Sequence, residues 1–469
     1  MNKYIDEFNN THYIDEELGR GGQGVVYKTK DADTVIKLVL SNDQTITNSD
    51  EIKKIHQKIK KLIFKPLPNN INIAKPLAVL KNEAGYVMNL LDGMEPFSSL
   101  FPSELSKEKA KKIVIPDFLL DLSQNDERSA IYFTYYLETG GLRKRLYSLS
   151  RLAITLYRLH IRGLIYFDIS HNNIFLNQDD IPLVYLIDAD NIEYESINKN
   201  VIFTPNFEVP EVVRGEANSL YSDIFAFGIL SFLTLTTTHP FNGSGNKESD
   251  WDSDTYSKQQ WELPWIEDGN DNSNKSKAGL RHNLAITNEL DLLFHKLFEE
   301  GKDDKFKRPT LPIWIETLEK AATKTIKCNN CKMSYYDEIF EKCPYCDSKK
   351  PKRLIVKSYL YKDGQKLKER WKYITEITDN TKRIELPMYL FKSFDILKID
   401  DTFLEINFIK KTRVDLYFEK EKENIYFQSK TPMVNTRKGI GLTKFEEGIK
   451  IIIEDVKNTT ILVEIEIVK

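Results

Sequence analysis

The sequence predicts an α+β protein built in consecutive parts, on three observations. A glycine-rich turn, Gly19-Arg20-Gly21-Gly22-Gln23-Gly24, lies between strand-like runs. Apolar helical periods fill the middle of the chain. All four cysteines sit in two Cys-x-x-Cys pairs ahead of a tail of strand-like runs. The 469 residues are too many for one hydrophobic core and suffice for two or three domains. At 41% hydrophobic and 29% charged, the composition is that of an ordinary globular protein. A formal net charge of −3 points away from a nucleic-acid binder. The first seven residues are acidic and lack the apolar stretch of a secretory signal. No run approaches the roughly 18 apolar residues of a membrane span. A cytoplasmic protein is expected, with neither nucleic acid nor membrane as partner.

Residues 13 to about 91 read as strands with one helix. That helix places Ile52, Ile55 and Ile59 on one face, with Ser49 or Asp50 as its cap. A second helical period, 142–159, runs into Gly163-Leu164-Ile165-Tyr166-Phe167-Asp168. A third, strongly apolar one follows Asp223. Residues 242–279 are rich in Asn, Ser, Asp and Lys and read as a surface insertion, although Trp251, Trp261 and Trp265 require part of it to dock. A helix over 310–322 closes the helical region. After the cysteines, Lys349-Lys350-Pro351-Lys352-Arg353 reads as a short basic linker. The runs Leu354-Ile355-Val356, Phe403-Leu404-Glu405-Ile406, Ile451-Ile452-Ile453 and Ile461-Leu462-Val463 then predict a β-rich domain.

The glycine turn leads into Val26 and then Thr34-Val35-Ile36-Lys37. Strand, tight turn, strand and lysine differ from the strand-to-helix setting of a dinucleotide fingerprint. Downstream come Asp168 in Tyr166-Phe167-Asp168, Asn173 five residues later, and Asp188 behind the apolar run Val184-Tyr185-Leu186-Ile187. Thr204-Pro205-Asn206-Phe207-Glu208-Val209-Pro210-Glu211 and Arg308-Pro309-Thr310 complete the series. The ordered series resembles the eukaryotic-type protein kinase family, Ser/Thr type, over roughly residues 13–322.

That resemblance implies a bilobal kinase fold with a β-rich N-lobe (about 1–91) and a helical C-lobe (about 92–325). Gly19, Gly21 and Gly24 would let the backbone close over ATP phosphates. Leu18, Val26, Val35, Met88 and Phe175 would line the nucleotide pocket, with Met88 opening the hinge. Lys37 would neutralise the α- and β-phosphates. Its usual carboxylate partner lies on the next helix, where Glu51 is the best candidate; Asp50 or an unpaired lysine are the alternatives. Asp168 would orient the attacking hydroxyl, and Asn173 and Asp188 would hold Mg2+ (or Mn2+). Glu211 would pair with Arg308, and Asp223 would brace the catalytic loop.

Three departures carry information. Tyr166-Phe167 stand where His-Arg is usual, so the ordinary partner of an activation-loop phosphate is missing. Ser170 stands where a lysine is usual, and Asp188-Ala189-Asp190 replaces Asp-Phe-Gly. His160 and His171 read as a helix-end and a loop histidine, not ligands. The expected function is ATP-dependent transfer to Ser/Thr of protein substrates or of the chain itself. The alternative is a nucleotide-binding pseudokinase scaffold. A small-molecule kinase is disfavoured by the peptide-platform segment 204–211. Thr238-His239-Pro240-Phe241 and Leu263-Pro264-Trp265-Ile266-Glu267-Asp268 further resemble bacterial kinases encoded with von Willebrand A proteins and metal-dependent phosphatases. That likeness implies such partners and a signalling, stress or defence role.

Cys328, Cys331, Cys343 and Cys346 have the spacing of two zinc knuckles. Four thiolates satisfy tetrahedral zinc with no open position, which predicts a structural site in a ribbon over 326–349. Placed just after the kinase domain (1–325) and ahead of a β-sandwich-like domain (350–469), the ribbon is expected to act as a clip or docking knob and not in catalysis.

Overall fold

The computed structural model describes residues 3–21, 24–31, 33–41, 43–68, 70–244, 263–276, 279–408, 414–418, 425–429, 433–436, 439–442, 448–455 and 459–469. The glycine-turn tip Gly22-Gln23, together with Trp251 and Trp261, lies outside these residues. The chain divides into two compact units. One joins Met1–Leu105, Arg151–Ala278 and Leu293–Leu311. The other joins Ser106–Ser150, Gly279–Leu292 and Pro312–Lys469.

The first unit opens on an antiparallel sheet of β1 (Lys3–Ile5), β2 (Thr11–Gly21), β3 (Gly24–Thr29), β4 (Thr34–Ser41), β5 (Gln44–Thr45), β6 (Pro76–Val79) and β7 (Gly85–Asn89). The spatial order is β1-β2-β3-β4-β7-β6, with β5 paired to β4. Helix α1 (Ser49–Ile63) lies against β6 and β7 through Ile55, Ile59 and Ile63, which pack on Val79, Tyr86 and Met88. Its cap is Asn48, not Ser49 or Asp50: the Asn48 side-chain oxygen accepts from the backbone N–H of Asp50 (2.9 Å) and of Glu51 (3.1 Å).

Small sheets then carry the loops. β8 (Glu95–Pro96) and β11 (Val184–Leu186) flank β10 (Ile174–Leu176), while β9 (Leu164–Tyr166) pairs with β12 (Ile192–Tyr194). Beneath them runs the helix Leu220–Thr236, which is buried almost all round, as its largely apolar sequence requires. It begins before Asp223, so that carboxylate sits in the first turn rather than ahead of the helix. A Cβ on Gly228 would come within 1.9 Å of Leu297 Cδ2, so any larger residue here would have to displace that side chain.

The polar stretch 263–276 packs more deeply than its composition suggests. Trp265 is fully buried, edge-on to Phe232 (5.7 Å between ring centres) and His295 (4.8 Å). The buried Asn274 amide donates to the carbonyls of Phe241 (3.0 Å) and Pro264 (2.9 Å). A few apolar and amide anchors satisfy the segment, and its remaining polar residues stay in solvent.

In the second unit the helix Glu127–Glu138, residues 141–150, and most of the helix Leu311–Thr323 pack beside β13 (Thr325–Lys327) and β14 (Ser334–Tyr336). Two five-stranded antiparallel sheets follow. One is ordered β16 (Gln365–Glu376), β15 (Arg353–Lys362), β24 (Thr459–Val468), β23 (Ile449–Asp455), β20 (Ile425–Ser429). The other is ordered β17 (Arg383–Pro387), β18 (Thr402–Phe408), β19 (Val414–Phe418), β22 (Gly439–Leu442), β21 (Met433–Thr436). The expected basic linker is a fastened corner. Arg353 is buried at the start of β15, with Nε 3.0 Å from Asp337 Oδ1, and Lys350 Nζ is 3.2 Å from the same oxygen.

Arg143 ties this unit together. Its guanidinium donates to both carboxylate oxygens of Glu376 (2.6 and 3.0 Å) and to Thr325 Oγ1 (2.8 Å), and its backbone N–H donates to Ser334 Oγ (2.9 Å). One side chain thus joins a helix, the cysteine-bearing hairpin and the tail sheet.

The first unit holds a comparable buried pair. Arg308 donates twice to Glu211, at 2.8 and 2.7 Å, with both side chains almost wholly buried. Burial pushes the Glu211 carboxyl up, but hydrogen bonding and charge from Arg308 outweigh it and hold the group below the ordinary glutamate value. Arg308→Met should cost about 3–5 kcal/mol, because it strands a buried carboxylate. The depressed carboxyl contributes stability above its unfolded pKa of about 4.3 and loses that contribution as pH falls through its lower folded value. Denaturant titrations between pH 7 and pH 3 should show this acid loss in the wild type and not in Arg308→Met.

Candidate active site

The β2–β3 hairpin forms one wall. Gly19 faces Val26 across it, and Gly21 faces Gly24. A Cβ on Gly24 would lie 2.6 Å from the Leu38 carbonyl and 3.3 Å from Lys37 Cε, so glycine here makes room for the lysine stem. Gly19 faces open space. Val26 pairs with Lys37, and Val35 with Met88. Val35 is buried, Val26, Met88 and Phe175 are half-buried, and Leu18 is exposed.

Lys37 is mostly buried and its ammonium pairs with Asp188. Burial alone would lower its pKa; the neighbouring Tyr86 phenol and the carboxylates of Asp188 and Asp190 outweigh burial and raise it. Glu51 is not the partner of Lys37. It lies exposed in the first turn of α1, where the Asn48 cap fixes it. Apart from Asp50 in the same turn, α1 contains no other carboxylate.

Asp188 adopts a left-handed backbone (φ 53°, ψ 58°), which turns the chain sharply from β11 into the short turn Ala189–Asn191. Aspartate tolerates this conformation better than most residues. The catalytic-loop candidates converge within the first unit. Asn173 Nδ2 donates to Asp168 Oδ2 (2.7 Å) and to the Asp168 carbonyl (2.9 Å), leaving the amide oxygen to face a cation. Asn191 Nδ2 adds a weaker bond to the same carboxylate oxygen (3.3 Å). Thr204, from the 204–211 segment, donates its hydroxyl to Asp168 Oδ1. Burial raises the Asp168 carboxyl; the bonds from Thr204 and Asn173 oppose the rise and the charges of Asp188 and Asp190 add to it.

Sequence reasoning missed two positioning groups. Tyr166 is fully buried; its N–H donates to Asp223 Oδ2 (2.8 Å) and its hydroxyl to the Ile187 carbonyl (2.6 Å). It therefore ties the catalytic loop to the residue before Asp188. The available signal was a tyrosine inside an otherwise apolar strand, whose hydroxyl must find a partner. His160 lies 2.8 Å from Asp223 Oδ2, a supporting contact and not ligation. Phe167 is buried and lines a cleft with Ile202, Phe203, Phe207 and Val209 that also admits Asp168, Thr204 and Asn218.

In the second unit the four cysteine sulfurs lie within 4.8 Å of one another. Cys328 and Cys346 are 3.6 Å apart, and Cys331 and Cys343 are 3.5 Å apart. Zinc at about 2.3 Å from four thiolates spaces its sulfurs roughly 3.8 Å apart, so the cluster is compatible with zinc. A hydrogen bond from Cys331 lowers the Cys343 thiol to about 5, and the same bond pushes Cys331 up. The cluster shares one apolar core with Tyr136, Ile326, Ile355 and Ile374. It is built into the unit, not clipped onto it as expected. No helix among the described residues is long and apolar enough to cross a membrane.

Comparison with known proteins agrees with this geometry. Residues 125–322 match the protein kinase domain family. Human ribosomal protein S6 kinase alpha-3 is 34% identical over 103 residues, which is 22% of this chain and 14% of that protein. Human death-associated protein kinase 2 is 33% identical over 96 residues, 19% of this chain and 26% of that protein. Death-associated protein kinase dapk-1 of Caenorhabditis elegans is 23% identical over 250 residues, 52% of this chain and 15% of that protein. The matched stretches thus span between 14% and 26% of these relatives. Residues 125–322 are thus similar to the protein kinase domain, as shorter stretches are to these kinases.

Proposed function

We propose that the chain is an ATP-dependent protein serine/threonine kinase acting on protein substrates or on itself. The observation that carries this reading is the meeting of Asp168 with Asn173 and with Thr204 of the peptide-platform segment, beside the Lys37–Asp188 pair. In this reading Lys37 binds phosphate oxygens. Asn173 and Asp188 hold Mg2+, which when bound screens the phosphate charge during transfer. Asp168 orients the acceptor hydroxyl and takes its proton, and the Thr204 bond fixes the carboxylate while docking the segment that receives a peptide. The side chains of Val26, Val35, Met88 and Phe175 enclose the base of the nucleotide.

The direct Lys37–Asp188 pair favours a second reading, a nucleotide-binding scaffold without turnover. Bacterial signalling, with a partner phosphatase and a von Willebrand A protein, belongs to the first reading through the strings at 238–241 and 263–268. So does a cytoplasmic location. One structural Zn2+ held by Cys328, Cys331, Cys343 and Cys346 completes the proposal.

Three outcomes are expected. Asp168→Ala should lower γ-phosphate transfer from labelled ATP by about 10²–10⁴-fold while nucleotide binding persists. Equal labelling by wild type and variant would exclude the kinase reading, and ATP binding without wild-type transfer would favour the scaffold. Because apolar Phe167 replaces a phosphate-gripping arginine, Ser196→Ala should retain wild-type turnover. A loss restored by Ser196→Asp would contradict phosphate-independent activity. Elemental analysis should find one zinc per chain, absent from Cys343→Ser. Since the cluster shares a core with Tyr136, amide exchange in that variant should quicken over 127–138 as well as 326–349. Four titratable thiols, no metal, and stability unmoved by added zinc would rule the site out.

A further inference from the structure

Lys65 follows Phe64, the residue that caps the C-terminal end of α1. Its ammonium is mostly buried and donates to the Ile192 carbonyl (2.6 Å) and to Glu193 Oε1 (3.0 Å). Lys58, one turn inside α1, reaches Asp190 Oδ2 at 3.4 Å from a more exposed position. Both contacts run from the helix to the segment just past Asp188. That segment is pinned on its far side: Ile192 pairs with Tyr166 across β12 and β9, and the Asn191 carbonyl accepts from the Phe167 N–H. Whatever holds Ile192 to α1 therefore bears on the backbone beside both Asp168 and Asp188.

The polarity is informative. α1 offers no carboxylate to Lys37, since Asp50 and Glu51 are both exposed at its far end. It presents cations to the acidic and carbonyl groups after Asp188 instead. We propose that Lys65, seconded by Lys58, is a positioning residue that docks α1 onto the segment following Asp188. The helix is thereby coupled to the catalytic loop through that segment and not through the β4 lysine. The catalytic half of this inference rests on the kinase reading; the docking half does not. A desolvated ammonium with two hydrogen bonds is suited to the task, because neither bond is replaced by water when the pair stays buried. Lys58 is solvent-exposed, so its share is small.

The test compares full-length wild type with Lys65→Met, which keeps the aliphatic stem, with Lys65→Arg, which keeps the charge, and with Glu193→Gln, which keeps the Ile192 bond. Two quantities are read: amide exchange over 49–63 and 192–194, and kcat and KM for ATP. Lys65→Met should quicken exchange in both segments about tenfold and lower kcat by a similar factor. Glu193→Gln should do both to a lesser degree, about two- to threefold, and Lys65→Arg should restore most of the loss. Exchange at α1 unchanged in Lys65→Met overturns the docking, as does an increase spread evenly over the unit. Local loosening with wild-type kcat overturns the coupling. If Lys65→Met does not fold, Glu193→Gln decides by the same criteria. If the wild type transfers no phosphate, the kinase reading has failed, and local exchange alone decides the docking.

Discussion

The first turn of the helix Leu220–Thr236 is the constraint on which the packing around Asp168 depends. Asp223, almost fully buried there, accepts from the Tyr166 N–H and lies against His160. Next to it the Tyr221 carbonyl accepts from Arg308, and the Ser222 hydroxyl donates to Glu211, itself clamped by Arg308. The end of one helix, the strand entering the catalytic loop, the end of the peptide-platform segment and the turn before residue 308 thus converge on a single helical turn. These groups are out of water, so the bonds they make, Asp223 through Oδ2 alone, form only if all the segments are in place. Burial raises the Asp223 carboxyl; His160 and the Tyr166 N–H oppose the rise. A buried carboxylate with these partners can hold in place the loop that carries Asp168 and Asn173.

Short-range features were legible in the sequence, whereas a long-range pairing such as Glu211 with Arg308 was expected only through the family resemblance, and others were not expected at all. The five-residue step from Asp168 to Asn173 is a local turn, and the apolar run before Asp188 is a strand, both of them short features that can be read along the sequence. The Lys37–Asp188 pair spans 151 positions and the Lys65–Glu193 pair 128. No periodicity encodes either. The α1 glutamate was expected by likeness to relatives, but the Asn48 cap starts the helix so that Glu51 falls in its exposed first turn. Cap choice was ambiguous because Asn48, Ser49 and Asp50 are all good capping residues. Tyr166 was noticed only as a replacement for histidine; its role follows from a hydroxyl that burial obliges to donate.

The second unit makes a related point about boundaries. The cysteine spacing was plain, yet a linear division into kinase, ribbon and tail does not describe the packing. Arg143, within the stretch similar to kinases, bonds at once to Thr325 and Glu376, and Tyr136 shares a core with the cysteines and with Ile355 and Ile374. The cysteine cluster and tail sheet therefore complete a core that residues 106–150 and 312–323 do not close alone. Composition could not reveal this, since a buried arginine and an exposed one look alike in sequence.

The central claim is that the side chains converging on Asp168 perform phosphoryl transfer to hydroxyl side chains of protein. Its most direct measurement is incubation of the purified full-length chain with γ-labelled ATP, Mg2+ and a lysate, followed by acid hydrolysis and identification of the labelled amino acids. The account predicts label recovered as phosphoserine or phosphothreonine, whether on the chain itself or on a protein from the lysate. Saturable ATP binding with no labelled phosphoamino acid would contradict it.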